Sequence, residues 1–120
     1  KNVFKHAVSN SDKDLANIYH NAKCLVYPSM HEGLGLPPLE AMSLGCPVIS
    51  SNHKAILEGV GHAASVFDPY QIDEITDTLE KSIYSEDIPN NLIKKGYDQS
   101  IKFTWKKCAE ETLKCYKKLI

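Results

Sequence analysis

Short apolar runs that alternate with helical patterns constrain the fold of this chain more than any other feature. Such runs occur at residues 2–4, 23–29, 46–50 and 62–68. The last three, "KCLVYPS", "CPVIS" and "HAASVFD", are too short for helices and are typical of buried strands. Because a helical stretch separates each run from the next, the strands are expected to pair in parallel through helical crossovers.

The helices are predicted from their start signals and their periodicity. Ser11 and Asp14 form an S-x-x-D capping pattern, and Leu15, Ile18 and Tyr19 follow at helical spacing. Further helices are predicted over residues 37–45, over residues 53–58, from Asp68-Pro69 to about Tyr84, from Pro89 to about residue 100, and from a Thr104 cap to Leu119. The sequence therefore predicts a single α/β domain over residues 1–120, a partial Rossmann-like fold with a parallel sheet of about four strands flanked by helices.

Composition excludes several classes of protein. The formal net charge of −1 argues against a nucleic-acid-binding protein, which normally carries a basic surplus. No apolar run approaches the roughly 18 to 20 residues of a membrane span, and no signal peptide opens the chain. The four cysteines show no C-x-x-C pairing, so we expect buried, reduced thiols in a cytoplasmic protein.

The segment "HEGLGLPPLEAM", residues 31–42, follows directly after a predicted strand. Ligands bind beyond the carboxyl ends of the strands in open α/β sheets, so this position predicts a binding site. Gly33 and Gly35 permit positive φ and close approach of a ligand to the backbone. The helix that begins at Pro37 directs its partly positive N-terminus, with the N–H groups of Gly35, Leu36 and Leu39, toward the space where a phosphate would lie.

Glu32 and Glu40 flank this glycine turn. A carboxylate next to a phosphate would repel it, so the two glutamates should reach other parts of a ligand, and carboxylates accept well from vicinal hydroxyls. A phosphate between two hydroxyl-bearing groups describes a nucleotide sugar. The residues alone leave a simpler alternative open, which is a tight strand-to-helix turn with Glu40 solvated on the helix surface.

The longer segment "PSMHEGLGLPPLEAMSLGCPVISS", residues 28–51, resembles the signature of the family 4 retaining glycosyltransferases, which have the GT-B fold. That signature is approximately Pro-Ser, two residues, Glu-Gly-Phe-Gly-Leu-Pro, then Leu-Glu-Ala-Met, a glycine and Pro-Val-Ile. The resemblance covers residues 2 to about 70, and extends more loosely to the "FTW" of residues 103–105. It implies a C-terminal, nucleotide-sugar-binding domain of a transferase.

The resemblance also implies roles for individual residues. Glu32 would contact hydroxyls of the transferred sugar and serve catalysis, and Glu40 would hold the ribose hydroxyls. The backbone N–H groups of Gly35 and Leu36 would meet the diphosphate and the sugar. The expected donor-binding residues are Glu32, Gly33, Leu34, Gly35, Leu36 and Glu40, with His31 adjoining them.

The resemblance further implies which groups lie elsewhere. Two positions depart from the family pattern: Leu34 stands where Phe is common, and His6 where Gly is usual. In the family, an arginine and a lysine bind the diphosphate, and an N-terminal domain binds the acceptor. Both lie upstream of the region matched here. Because the chain opens with Lys1 and contains no arginine, we expect it to be an inactive piece of a longer enzyme. The expected partners are a nucleotide-diphosphate sugar and an acceptor that is a sugar, lipid or glycan, without a metal or other cofactor, in polysaccharide or glycolipid synthesis. An exposed sheet edge is expected to allow self-association.

Several signals have alternative interpretations. "DKD" at residues 12–14 has the spacing of a metal site, but a helix cap is favoured. His20, His53 and His62 lack ligand-like spacing and are expected to be structural. The last predicted helix, with Trp105 on its apolar face and lysines elsewhere, is typical of a packing helix and also allows contact with the inner face of a membrane. A stand-alone nucleotide-sugar-binding or regulatory module and a sugar-nucleotide 2-epimerase remain the alternative functions.

Overall fold

A computed structural model describes residues 11–120 of the chain. The predicted strand at residues 2–4, and His6, lie outside the described residues. The described elements are α1 (Asp12–Asn21), β1 (Leu25–Tyr27), α2 (Leu36–Ser43), β2 (Val48–Ser51), α3 (Lys54–Val60), β3 (Ala64–Phe67), α4 (Ile72–Tyr84), α5 (Asp87–Ser100) and α6 (Trp105–Lys117). This order of short strands and helices confirms the predicted α/β class.

The three described strands form one parallel sheet in the order β1-β2-β3. Leu25 pairs with Val48, and Val48 pairs in turn with Ala64. Each strand ends within two residues of its predicted position. Because all three run in the same direction, the segments that follow Tyr27 and Ser51 leave the sheet at the same edge.

Two of the predicted N-cap residues are confirmed, and one predicted helix start is wrong. Ser11 and Thr104 are N-caps as predicted, since their hydroxyls accept from the N–H groups of Asp14 at 3.2 Å and Lys107 at 3.1 Å. The predicted start of a helix at Asp68 is wrong. Its carboxylate accepts from the N–H of Tyr70 at 2.9 Å, which closes a turn, and α4 begins only at Ile72.

The helix predicted to start at Pro89 begins two residues earlier, at Asp87. Proline therefore occupies the first turn of α5, where the absent N–H would have no partner within the helix.

The core lies between the sheet and the pair α2 and α3. It contains Val48, Leu39, Met42, Ile56 and Val60, all of them buried. The inward-facing side chains of β1, Leu25 and Tyr27, pack against this cluster. The core is therefore built around the helix that follows the glycine turn.

Helix α5 closes over α2 at a glycine. A Cβ atom placed on Gly96 would lie 3.1 Å from Cγ of Met42, which is closer than side chains normally approach. The amide of Gln99 secures the end of α5 by donating to the carbonyl of Gly59 at 2.7 Å. The first contact fixes α5 against α2, and the second fixes it against α3.

Two predictions about the C-terminal part of the chain are wrong. All residues from 101 to 120 are exposed, and Trp105 is 81% exposed, so α6 contributes nothing to the core as a packing helix would. An amphipathic pattern predicts an apolar face, but the pattern does not identify the surface that covers it. Cys108 and Cys115 on this helix are exposed rather than buried, whereas Cys24 is half-buried and Cys46 is buried, and all four are free thiols.

We expect Gly96→Leu to lower the free energy of unfolding by about 1 to 2 kcal/mol. Overpacking typically costs about 1 to 3 kcal/mol, and the removal of a helical glycine returns up to about 1 kcal/mol. Chemical denaturation followed by circular dichroism measures the change. Asn91→Leu is the matched control, because Asn91 lies exposed on the same helix. A Gly96→Leu chain as stable as this control would contradict the close packing of α5 on α2.

Candidate functional site

The loop of residues 28–35 leads from the carboxyl end of β1 to the start of α2. It contains Glu32 and both glycines of the segment singled out in the sequence. His53 lies two residues beyond the end of β2, at the same edge of the sheet. The candidate site is therefore built from two segments that parallel pairing brings together.

Gly35 is the residue on which the turn into α2 depends. Its φ of 77° lies in the left-handed region that side chains disfavour, and it is the N-cap of α2. Gly33 does not share this conformation, since the glycines with positive φ among residues 11–120 are Gly35, Gly45 and Gly61. A Cβ atom on Gly33 would meet nothing within 4 Å. A positive φ is thus adopted at Gly35 and not at Gly33, and the expected close approach of a ligand to either glycine stays a prediction.

Among residues 11–120, no side chain caps the backbone donors at the start of α2. Gly35 cannot cap through a side chain, and Pro37 and Pro38 lack N–H groups. The N–H groups of Gly35 and Leu36 are consequently the donors that the first turn presents. Together with the helix dipole they form a partly positive surface suited to an anion.

The carboxylate of Glu32 is held by two hydroxyl groups. Tyr27 donates to Oε1 of Glu32 at 2.5 Å, and Oγ of Ser29 lies 2.9 Å from the same oxygen. Oγ of Ser29 also lies 3.1 Å from the carbonyl oxygen of His31, so its single proton is shared between two acceptors. Because the Tyr27 contact is the shorter one and the Ser29 proton is divided between two acceptors, Tyr27 is the principal restraint on Glu32.

These hydrogen bonds set the ionisation states of the pair. The bond from Tyr27, and next that from Ser29, lower the pKa of the Glu32 carboxyl below its usual value, and a positive charge on His53 would lower it further. The same bond to Glu32, aided by burial, raises the pKa of Tyr27 to about 12. At neutral pH the site therefore contains an ionised carboxylate and a protonated phenol.

Neighbouring groups secure the loop. The hydroxyl of Ser51, at the end of β2, donates to the carbonyl oxygen of Ser29, which ties the loop to the sheet. The rings of His31 and His53 meet edge to face, with centroids 5.7 Å apart and an interplanar angle of 61°. Nδ1 of His53 is buried without a partner among residues 11–120. His53 was expected to be structural, and the structure places it beside the site.

Two adjoining cavities surround the start of α2. A cavity of about 580 Å³ is lined by Tyr27, Glu32, Leu34, Gly35, Leu36, Pro37 and Trp105. A groove of about 670 Å³ runs between α2 and α6, and Glu40 contributes to its wall. Leu34, Leu36 and Trp105 line both cavities. The two glutamates thus face different spaces that share an apolar wall, with Glu40 itself exposed on α2.

Most of the predicted site residues are brought together, and four others were missed. Glu32, Leu34, Gly35 and Leu36 surround one cavity, while exposed Gly33 and His31 line neither. The residues missed by sequence reasoning are Tyr27, Ser29, His53 and Trp105. A usable signal existed for the first three, because each lies at or just beyond the carboxyl end of a strand. No sequence signal places Trp105 here, since its position depends on the path of residues 101–104.

The described residues form neither a metal centre nor a membrane-spanning helix. Residues 11–120 contain no group of three or more His, Cys, Asp or Glu side chains able to hold a metal ion. No helix within this range has the length and apolar character to cross a membrane.

Known proteins resemble this chain in sequence. It is 40% identical over 108 residues to O-antigen chain mannosyltransferase B of Escherichia coli, which covers 90% of this chain and 28% of that protein. It is 32% identical over 114 residues to the MMP alpha-(1->4)-mannosyltransferase of Mycolicibacterium hassiacum, covering 92% and 28%. The chain thus spans less than a third of the length of these relatives.

A solved structure and a family profile match as well. Sucrose-phosphate synthase from Thermosynechococcus elongatus superposes with a TM-score of 0.77 at 23% identity, over 93% of this chain and 29% of that one, which shows a shared fold. The sequence profile of the family described as Glycosyl transferases group 1 matches residues 1–99. On this match, over most of its length, the chain belongs to the group 1 glycosyltransferases.

Proposed function

We propose that this chain forms the donor-binding part of a longer enzyme that transfers mannose from a nucleotide-diphosphate mannose to an acceptor, with retention of anomeric configuration. The observation that carries the proposal is the oriented carboxylate of Glu32, beside the uncapped start of α2. Mannose is chosen because the relatives named above are mannosyltransferases.

Glu32 is suited to bind a sugar. Its ionised carboxylate can only accept hydrogen bonds, and a pyranose offers several hydroxyl donors. It faces a cavity whose other walls are largely apolar, including Trp105 and Leu36. Sugars have an apolar face as well as hydroxyl edges, so a carboxylate beside an indole matches both.

The start of α2 is suited to the diphosphate. The N–H groups of Gly35 and Leu36 would donate to its oxygens, and the positive end of the helix dipole would stabilise the negative charge that develops as the sugar leaves. Such stabilisation acts on the transition state more than on the bound donor. Leu36 lines both cavities, so a diphosphate at this position would connect ligands in the two.

Glu40 is suited to the ribose. It lies on α2 one turn beyond the first, and it faces the groove rather than the cavity of Glu32. A ribose at Glu40 and a mannose at Glu32 would place the diphosphate between them, at the start of the helix. This arrangement keeps both carboxylates away from the phosphate charge.

We propose that the acceptor is a glycan or lipid in cytoplasmic polysaccharide or glycolipid synthesis. It would bind to a part of the full-length protein that lies outside this chain.

Incubation of the full-length protein with mannose linked to guanosine, uridine or adenosine diphosphate tests the transfer. The expected results are release of the nucleotide diphosphate and an acceptor product in which the mannose has the same anomeric configuration as in the donor. Binding without transfer would favour a stand-alone binding module instead.

The two glutamates are predicted to separate in their effects. In the full-length protein, Glu40→Gln should weaken binding of the free nucleotide diphosphate by about 1 to 3 kcal/mol, the usual cost of losing a charged hydrogen-bond partner. Glu32→Ala should leave that affinity nearly unchanged while it lowers kcat/KM for transfer. Calorimetry and initial rates measure the two quantities.

Glu80→Gln is the matched control for these substitutions, because Glu80 is an exposed glutamate on α4. It should change neither the affinity nor the rate. Equal losses from Glu32→Ala on the nucleotide and on the nucleotide sugar would contradict the assignment of Glu32 to the sugar.

Transfer is predicted to proceed without a divalent metal ion. The acidic residues Asp12 and Asp14 lie in the first turn of α1, where the helix dipole and the Ser11 cap explain them. Activity of the full-length protein should therefore persist in excess EDTA. Loss of transfer in EDTA that manganese or magnesium restores would show that a metal takes part.

A further inference from the structure

The hydrogen bonds on Glu32 are distributed unequally between its two carboxylate oxygens. Both Tyr27 and Ser29 reach Oε1. Among residues 11–120, no group donates to Oε2. A carboxylate held in this way has one oxygen engaged by the protein and the other available to a ligand.

We propose that Tyr27 is a positioning residue, whose hydroxyl holds Oε1 of Glu32 so that Oε2 is presented to a hydroxyl of the transferred sugar. The proposal rests on the proposed function of Glu32 and extends it to a residue that acts on the reaction through Glu32. Ser29 assists Tyr27 from the same loop.

Tyr27 is well placed for this task because its ring is fixed. It is the last residue of β1 and pairs with Ser50 of β2. Its ring packs against the buried cluster that contains Val48 and Leu39. A hydroxyl on a rigid ring restrains a flexible glutamate side chain more firmly than another flexible chain would.

The ionisation of the pair suits a permanent acceptor. The raised pKa of Tyr27, about 12, means that its phenol stays a donor throughout the neutral range. The lowered pKa of Glu32 means that its carboxylate stays ionised in the same range. Glu32 is thus suited to accept a hydrogen bond continuously, and not to deliver a proton during the reaction.

The pH dependence has a defined sign on both sides. Because the folded pKa of Tyr27 is raised, the stabilising bond is complete below the unfolded pKa near 10 and is lost as the pH rises through about 12. Because the pKa of Glu32 is lowered, its contribution is complete above the unfolded value and is lost as the pH falls through the folded one. Neighbouring groups that share this field are Tyr19 on α1 and His53 after β2.

A double-mutant cycle in the full-length protein tests the proposal. Tyr27→Phe keeps the ring and removes the hydroxyl. It should lower kcat/KM by about 3- to 10-fold, as expected for the loss of one hydrogen bond. The donor is whichever of the three nucleotide-diphosphate mannoses supports transfer by the unchanged protein. Affinity for the free nucleotide diphosphate should not change. In a Glu32→Ala background, Tyr27→Phe should cause little further loss, because the carboxylate that Tyr27 restrains is already absent.

The controls separate positioning from general damage. Tyr84→Phe removes the hydroxyl of an exposed tyrosine on α4 and should have no effect. Ser29→Ala is a second variant that loosens the same carboxylate and should act in the same direction as Tyr27→Phe. Equal losses from Tyr27→Phe in the wild-type and Glu32→Ala backgrounds would overturn the proposal.

A measurement that needs no activity distinguishes this proposal from the proposed function. Carbon-13 NMR of labelled glutamate, with the Glu32 signal assigned through Glu32→Gln, should show the pKa of Glu32 rising in Tyr27→Phe. Absorbance titration should show one tyrosine with a pKa near 12 that disappears in the same variant. Unchanged titration of Glu32 would refute the positioning role. If the pKa of Glu32 rises in Tyr27→Phe as expected but the full-length protein transfers mannose from none of the three donors, the proposed function alone would be contradicted.

Discussion

The parallel pairing of β1 with β2 determines where the functional groups of this chain lie. It sets Tyr27 beside Ser50, so the loop after β1 and the segment after β2 leave the sheet at one edge. The contact between Ser51 and the Ser29 carbonyl then joins these segments directly. Without this register, Ser51 could not reach the carbonyl of Ser29 and His53 could not approach His31. The strand pairing therefore sets the relative position of the two segments that form the site.

Helix α2 links the core to the site because one of its faces packs into the core and the other lines the groove. Leu39, Ala41 and Met42 are buried, while Glu40, between them in sequence, is exposed to the groove. A rotation of the helix that exposed Glu40 differently would also withdraw Met42 from the contact with α5. Gly35 allows the abrupt entry into this helix. The position of the proposed ribose ligand is therefore restrained by core packing.

Much of this arrangement could be predicted from the sequence because it depends on local patterns. Apolar runs of strand length and capping residues such as Ser11 and Thr104 act over a few neighbouring residues, and the structure follows them. The errors occurred where a local signal has two outcomes. Asp68 can cap a helix or close a turn, and here its carboxylate accepts from the N–H of Tyr70 in a turn. Trp105 could not be placed from the sequence, because its environment is made by residues distant along the chain.

The charge available in the described site also limits what it could do alone under the proposed function. A helix N-terminus supplies roughly half a positive charge, whereas a leaving diphosphate carries more than one negative charge. The lysines beside the groove have partners of their own, since Lys102 donates to Gln99 at 2.9 Å and Lys107 lies 3.9 Å from Glu111. Stabilising the departing diphosphate at full rate would therefore require cations beyond those of the described site, which accords with the small share of its relatives that this chain spans.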